Sequence, residues 1–143
     1  MKKTISIVLL LMINGNLILL QGCKKDDPLP ETERVKNLLK ANTWRMQTVT
    51  VDGIDQTLVY AGLTLTFTDT NYSTANGGAV WPATGTWTFA DQTGKLITRS
   101  DGLPVSIEEA TTTKLSLKLT WAKTTLGGRA SSIAGVHVFV FGK

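Results

Sequence analysis

Threonine alternates with apolar residues through much of the chain after residue 42. The run from Thr64 to Asp69 reads TLTFTD, and the run from Thr86 to Asp91 reads TWTFAD. β-Branched and aromatic residues on a period of two are typical of a strand with one buried face and one exposed face. Since the chain holds 22 threonines among 143 residues, the pattern predicts a mainly β fold.

Eight segments with this character are predicted to be strands. Short turns rich in Asp, Asn and Gly separate them. Because no long helix is present to make parallel crossovers, the pattern favours antiparallel strands in an up-and-down barrel or a sandwich. The predicted strands are Trp44–Val51, Leu63–Thr68, Tyr72–Ala75, Gly85–Ala90, Leu96–Arg99, Val105–Glu109, Leu115–Trp121 and Val136–Phe141.

A short helix is predicted before the first strand. Val35, Leu38 and Leu39 have the i, i+3, i+4 spacing of one helical face, and Thr32 is a candidate N-cap. The pattern ends near Asn42. A helix of about three turns is marginal alone, so we expect it to pack against an apolar part of the β structure.

Residues 1–22 have the layout of an export signal. Two lysines follow Met1, Thr4–Leu20 is mostly apolar, and a small residue precedes Cys23. A transmembrane helix needs about 20 apolar residues, whereas this run is interrupted by Asn14-Gly15-Asn16. Removal of the signal leaves 143 − 22 = 121 residues and lowers the net charge from +4 to +2, because two lysines leave with it.

Leu20-Gln21-Gly22-Cys23 resembles the lipobox of bacterial lipoproteins. The resemblance implies that Cys23 carries a thioether-linked diacylglycerol and that its freed amine takes a further acyl chain, such as palmitate. Two or three chains make a durable membrane anchor, whereas one chain gives only marginal binding. The alternative is an incidental thiol behind an ordinary signal peptide.

Lys25-Asp26-Asp27 resembles the surface-export signal of lipoproteins from the Bacteroidetes group. The resemblance implies an outer-membrane protein displayed on the cell surface. The alternative is a solvated spacer that leaves the domain at the periplasmic face. Residues 23–31, which include Pro28 and Pro30, are predicted to form an extended tether.

Residues 32–143 resemble the lipocalin-like domains of Bacteroidetes lipoproteins. The likeness lies in the order of features: a short helix, a strand that opens with Trp44, the LTFTD run at Leu65, the GTWTF run at Gly85 and a final strand rich in Val and Phe. It implies an eight-stranded antiparallel up-and-down barrel with a short N-terminal helix. It also implies a small apolar or amphipathic ligand.

In the alternating strands the apolar set is predicted to face inward. Trp44 is expected near the barrel floor, against Leu38 or Leu39 of the helix. The same side chains suffice to fill a small barrel, whose width its own side chains nearly occupy. The long segment Ala122–Gly135 is a candidate rim. The predicted ligand-contacting residues are Trp44, Leu65, Phe67, Trp87, Phe89, Leu117 and Leu119.

Catalytic and metal chemistry find little support. Cys23 and His137 are single examples of their kinds, so no multi-His metal site is available. Glu108 and Glu109 are adjacent and are expected to face opposite sides of a strand. The acids at strand ends are read as turn residues, including Asp69, which with Asn71 lacks the further ligands of a calcium loop.

No catalytic residue, metal or cofactor is therefore predicted. His137 is interpreted as a strand residue at the barrel wall, and Gly127-Gly128-Arg129 as a turn rather than a phosphate loop. No basic cluster marks a nucleic-acid partner.

Two functions remain open. The first is a non-enzymatic outer-membrane lipoprotein, anchored through Cys23, whose barrel binds a small apolar or amphipathic ligand. The alternative is a filled barrel that serves as an interaction module and contacts a surface protein in an uptake or secretion assembly. A continuous internal cavity would favour the first, and a packed interior with an exposed apolar patch would favour the second. An enzyme is a distant third.

Overall fold

The structure is a computed structural model that describes residues 27–124 and 132–143. The predicted signal peptide, Cys23 and Lys25-Asp26 lie outside the described residues, as does the middle of the candidate rim 122–135. In the part of the chain that is described, no helix has the length and apolar character needed to span a membrane. The division into residues 1–22, 23–31 and 32–143 stays a prediction.

Within these ranges the chain forms one α-helix, one short 3₁₀ helix and nine strands. In chain order they are α1 (Glu31–Lys40), β1 (Thr43–Val51), β2 (Ile54–Asp55), the 3₁₀ helix (Thr57–Tyr60), β3 (Thr64–Phe67), β4 (Asn71–Ala75), β5 (Thr84–Phe89), β6 (Leu96–Arg99), β7 (Pro104–Ala110), β8 (Lys114–Trp121) and β9 (Gly135–Gly142).

Eight of the strands close into an antiparallel barrel. The order around it is β1-β3-β4-β5-β6-β7-β8-β9, and β9 pairs back onto β1 along Arg45–Val51. β2 is a two-residue extension that pairs only with the end of β1. The closed eight-stranded barrel of lipocalin-like type confirms the predicted fold class, and each predicted strand agrees with the structure to within one residue at either end.

The strand alternation is broken at Glu108, where the pairing of β7 with β8 shifts register. The prediction that Glu108 and Glu109 face opposite sides is wrong. Glu108 lies 3.5 Å from Lys118 and Glu109 lies 2.6 Å from Lys114, so both point to the outer face of β8. A β-bulge inserts one extra residue and thereby resets the alternation.

Helix α1 begins directly after Pro30, which acts as the N-cap. The Pro30 carbonyl accepts a hydrogen bond from the Arg34 amide at 3.0 Å. The prediction of Thr32 as N-cap is therefore wrong, because Thr32 already lies in the first helical turn. Proline has no backbone N–H, so it leaves no unpaired donor at the start of the helix. The acidic side chains of the first turn interact favourably with the positive end of the helix dipole.

α1 covers one end of the barrel, here called the helix end. The Trp44 indole donates to the Leu39 carbonyl at 2.8 Å, which confirms the expected contact between Trp44 and the helix. Lys40 forms an ion pair with Asp69 in the β3–β4 turn. The Asn42 amide donates to Thr112 in the β7–β8 turn at 3.1 Å.

The opposite end carries the longer connections. It holds the β1–β2 turn, the 3₁₀ helix, the β6–β7 turn and the β8–β9 connection. It also holds residues 76–83, between β4 and β5, which we call the strap. We call this end of the barrel the strap end.

Candidate functional site

The barrel interior contains one contiguous cluster of buried apolar side chains. Six of the seven predicted ligand-contacting residues are buried in it, which places them on the inner face as expected. Phe89 is only half-buried and packs against the edge of the cluster. The six are Trp44, Leu65, Phe67, Trp87, Leu117 and Leu119. Their contact with a ligand stays a prediction.

Trp87 is a wall residue near the helix end. Its ring makes edge contacts with Phe67 and Phe89, with centroid distances of 5.6 and 5.2 Å. Its indole N–H donates to the carbonyls of Thr68 and Asn71, each at 3.2 Å. The polar atom of this side chain is thus satisfied by the barrel itself.

Trp81 enters the interior from the strap rather than from a strand. The residue is 1% exposed. Its ring centroid lies 5.7 Å from that of Tyr72 on β4 and 6.1 Å from that of Phe139 on β9. The Arg99 guanidinium on β6 lies 4.9 Å from the indole centroid. Because β9 is three strands away from both β4 and β6 around the closed barrel, the indole lies between separate walls.

The strap is held over the strap end by backbone and side-chain hydrogen bonds. Arg99 Nη1 donates to the Val80 carbonyl at 2.6 Å. The Thr74 hydroxyl lies 3.1 Å from the Trp81 carbonyl and 3.0 Å from that of Pro82. Gly77 makes the closest approach, because a Cβ there would lie 2.1 Å from the Trp81 carbonyl oxygen. Only glycine fits at that position.

Arg99 is a buried cation, with its side chain fully shielded from solvent. It forms an ion pair with Asp101 and also lies over the Tyr72 ring at 5.8 Å. Burial raises the pKa of Asp101, but the hydrogen bonds from Arg99 and the Leu103 amide outweigh it and leave the pKa below its usual range. The charge of the buried Arg99 side chain is therefore neutralised at the strap end by the partly exposed Asp101 carboxylate.

The sequence analysis missed Trp81, Arg99 and Tyr60. Arg99 had a usable signal, because it follows the buried Ile97 by two residues and so occupies the inward phase of β6. An acidic partner two residues later, Asp101, completes that signal. Trp81 and Tyr60 had none, since they lie in connections without periodic patterning.

His137 is completely buried beside Tyr60 at the strap end. Its Nε2 lies 2.8 Å from the Tyr60 hydroxyl, and its Nδ1 lies 3.1 Å from the Gly135 carbonyl. A neutral ring that donates from Nδ1 and accepts at Nε2 satisfies both contacts. Burial lowers the pKa of His137 and raises the pKa of Tyr60, so both groups favour their neutral forms.

Three of the acids at strand ends behave as turn residues, whereas Asp52 accepts from the Val136 amide on β9 at 2.9 Å and Asp69 pairs with Lys40. Asp55 accepts from the Thr57 amide at 2.8 Å, Asp91 from the Thr93 amide at 2.8 Å, and Asp101 from the Leu103 amide at 3.2 Å. Hydrogen bonds from the threonines lower the pKa values of Asp55 and Asp91. Among residues 27–124 and 132–143, no three His, Cys, Asp or Glu side chains are grouped to hold a metal ion.

An exposed apolar segment lies beside the strap end, on β2 and the 3₁₀ helix. Its members are Ile54, Leu58 and Val59, which are 65%, 91% and 40% exposed, and we call them the apolar rim. Leu58 and Val59 line a groove of about 520 Å³ together with Thr48 and residues 55–57. A second groove, of about 410 Å³, is lined by residues 101–103 and 120–123.

Comparison with known proteins found no matching family model, curated protein or solved structure. The geometry of the barrel is therefore the basis for its proposed function. Three features bear on it: the interior occupied by the chain's own side chains, the strap that inserts Trp81 above Arg99, and the apolar rim.

Proposed function

We propose that this chain is a non-enzymatic, lipid-anchored outer-membrane protein whose barrel acts as an interaction module in a cell-surface uptake or secretion assembly. The observation that carries the proposal is the occupied interior. Tyr60 and Trp81, from two separate connections, both contact Phe139, with ring centroids 5.3 and 6.1 Å apart. A barrel filled in this way favours contact through its surface over an open internal cavity.

The apolar rim is the surface that we propose for the contact. Exposed apolar groups in one short segment are typical of interaction sites. Two hydrogen bonds also fix the segment in place. The Thr57 hydroxyl accepts one from the Val49 amide at 3.1 Å, and the Tyr60 hydroxyl forms the other with His137. A preorganised segment loses less conformational entropy on binding.

The proposed anchor places the apolar rim away from the membrane. Seven residues lie between Cys23 and Glu31, the first residue of α1, so the eight residue steps reach about 25 Å if they are extended. Because α1 covers the helix end, the tether joins the barrel there. The strap end and the apolar rim then face outward, toward a partner.

The test is photo-cross-linking in intact cells of the native host. A photoreactive residue placed at position 58, or separately at position 59, should give a discrete adduct with one membrane protein. The Leu58→Asp substitution should abolish the adduct formed from position 59. Thr88, which is exposed on the outer wall at β5, is the matched control position. Equal adducts from positions 58 and 88 would contradict the proposal.

Binding of a small apolar or amphipathic ligand is the second candidate function. The specific observation in its favour is the Trp81 indole N–H, which is buried and finds no acceptor in the part of the chain that the structure describes. A buried donor in that state is unusual in a side chain that only fills a core. Native mass spectrometry of the protein from its own cells separates the candidates, because it reports a retained small molecule and a bound partner as different mass increments.

A further inference from the structure

Trp81 occupies a slot that the barrel strands build and the strap fills. Tyr72 and Phe139 stand nearly perpendicular to the indole plane, at 85° and 79°. The Arg99 guanidinium lies over the ring, 4.9 Å from its centroid. The walls therefore define a space that accepts a flat molecule of two fused rings.

The occupied slot leaves one polar group unsatisfied. Among the described residues the Trp81 Nε1–H has no acceptor, a state shared by the partly buried Trp121, whereas the same atom of Trp44 donates to Leu39 and that of Trp87 to Thr68 and Asn71. An unpaired buried donor destabilises the state that contains it. If the strap swings outward, this donor reaches water, so part of the energy needed to remove the indole is recovered.

The polar requirement of an incoming molecule follows from Arg99. Its Nε and Nη2 are bound to Asp101, and only Nη1 is bound to the strap, at the Val80 carbonyl. When the strap leaves, Nη1 loses its acceptor while the rest of the ion pair stays. An uncharged acceptor replaces Val80, whereas an anion would bring a second negative charge next to Asp101.

We propose that the Trp81 slot is a binding site for a flat, uncharged, bicyclic aromatic molecule that carries one hydrogen-bond acceptor, with the strap as its displaceable stopper. The acceptor takes the place of the Val80 carbonyl on Arg99, and the ring system takes the place of the indole. This inference deepens the second candidate function. It is independent of the interaction-module proposal, which the cross-linking experiment tests separately.

The experiment is a titration of the mature chain, residues 23–143 with Cys23→Ser to keep it in solution. The two probes are 1-indanone, which has a carbonyl acceptor, and indane, which has the same ring frame without one. Indole N–H signals are followed by proton–nitrogen NMR. We expect 1-indanone to shift the Trp81 signal and leave those of Trp44 and Trp87 in place, and to bind about tenfold or more tightly than indane.

Two tryptophan variants sharpen the result. Trp81→Ala removes the competing indole, so it should bind 1-indanone more tightly than wild type and keep the preference over indane. Trp87→Ala deletes the same atoms from the wall near the helix end. Its affinity for 1-indanone should therefore not exceed that of wild type. If the Trp81 variant does not fold, the wild-type titration decides alone.

The proposal is overturned if wild type shows no Trp81 shift up to the solubility limit of 1-indanone, whatever the variants do. In that case binding to Trp81→Ala would report only an engineered cavity. Equal affinity of wild type for indane and 1-indanone would also overturn it, because Arg99 would then take no part in recognition.

Discussion

At the scale of single residues, His137 shows how this fold treats a titratable group. Both ring nitrogens are bonded, to Tyr60 and to Gly135, and the ring stacks on Phe139 at 5.6 Å with an angle of 12°. Burial lowers the pKa of His137 and outweighs the Gly135 carbonyl and the Asp52 carboxylate, both of which favour the protonated ring. The neutral imidazole is thus part of the packing of the strap end.

This burial makes stability depend on pH in a definite direction. Below about pH 6.5 the unfolded chain takes up a proton at His137 while the folded chain resists it, so the free energy of unfolding falls as pH falls toward the lowered folded pKa. The slope is at most about 1.4 kcal/mol per pH unit. Urea unfolding between pH 7.5 and 5.5 measures it.

His137→Phe should remove most of that slope, because His137 is the only histidine of the chain and carboxylates begin to protonate at lower pH. Tyr60→Phe is the matched control, since it removes the hydroxyl contact and keeps the titrating ring. An equal slope in His137→Phe and wild type would show that another group is responsible.

At the scale of elements, period-two patterning was sufficient for the eight barrel strands. In β3, for example, Leu65 and Phe67 are buried and Thr64 and Thr66 are partly exposed, whereas register shifts interrupt the alternation in β1 and β7. The connections could not be predicted in this way. The strap and the 3₁₀ helix have no repeat, so their insertion into the barrel depends on tertiary contacts such as those of Arg99.

Departures from simple rules also had local causes. Thr32 is a good capping residue, but Pro30 fixes the backbone two residues earlier and starts the helix there. The predicted ligand-contacting residues all lie on strands, and six of the seven are buried in the interior. A prediction from strand positions does not include Trp81, which enters the interior from the strap.

The docking of α1 provides a prediction at this scale. Trp44→Phe removes the donor to the Leu39 carbonyl and shrinks a buried ring, so it should lower the free energy of unfolding by about 2–4 kcal/mol. Lys40→Ala breaks the ion pair of the same helix with Asp69, which is exposed, and should lower it by no more than about 1 kcal/mol. Chemical denaturation of both variants measures the difference. A larger loss of unfolding free energy in Lys40→Ala than in Trp44→Phe would show that the ion pair, not the indole, holds α1 against the barrel.

At the scale of the whole molecule, the proposed anchor and the barrel are separate units with separate tests. Cys23→Ala should abolish labelling by a palmitate analogue and release the domain from membranes, because no other group is predicted to carry lipid. Persistent membrane labelling of this variant would contradict lipidation at Cys23.

Replacement of Asp26 and Asp27 by Ala serves as the companion variant. It should keep the lipid label and remove the domain from the reach of protease added to intact cells. If the wild-type domain is shielded in intact cells and cleaved once they are opened, the domain lies at the periplasmic face instead.

The pairing of β9 with β1 has a further consequence for the order in which the barrel folds. Gly142 pairs with Arg45 across almost the whole barrel sequence, so no closed barrel exists before β9 has formed. Contacts of such large sequence separation make folding slow. Loss of the final strand would leave β1 and β8 as open edges, which are prone to aggregate. Until β9 has formed, β1 has no partner on that side, so the barrel closes only when strands from both ends of the sheet order are present.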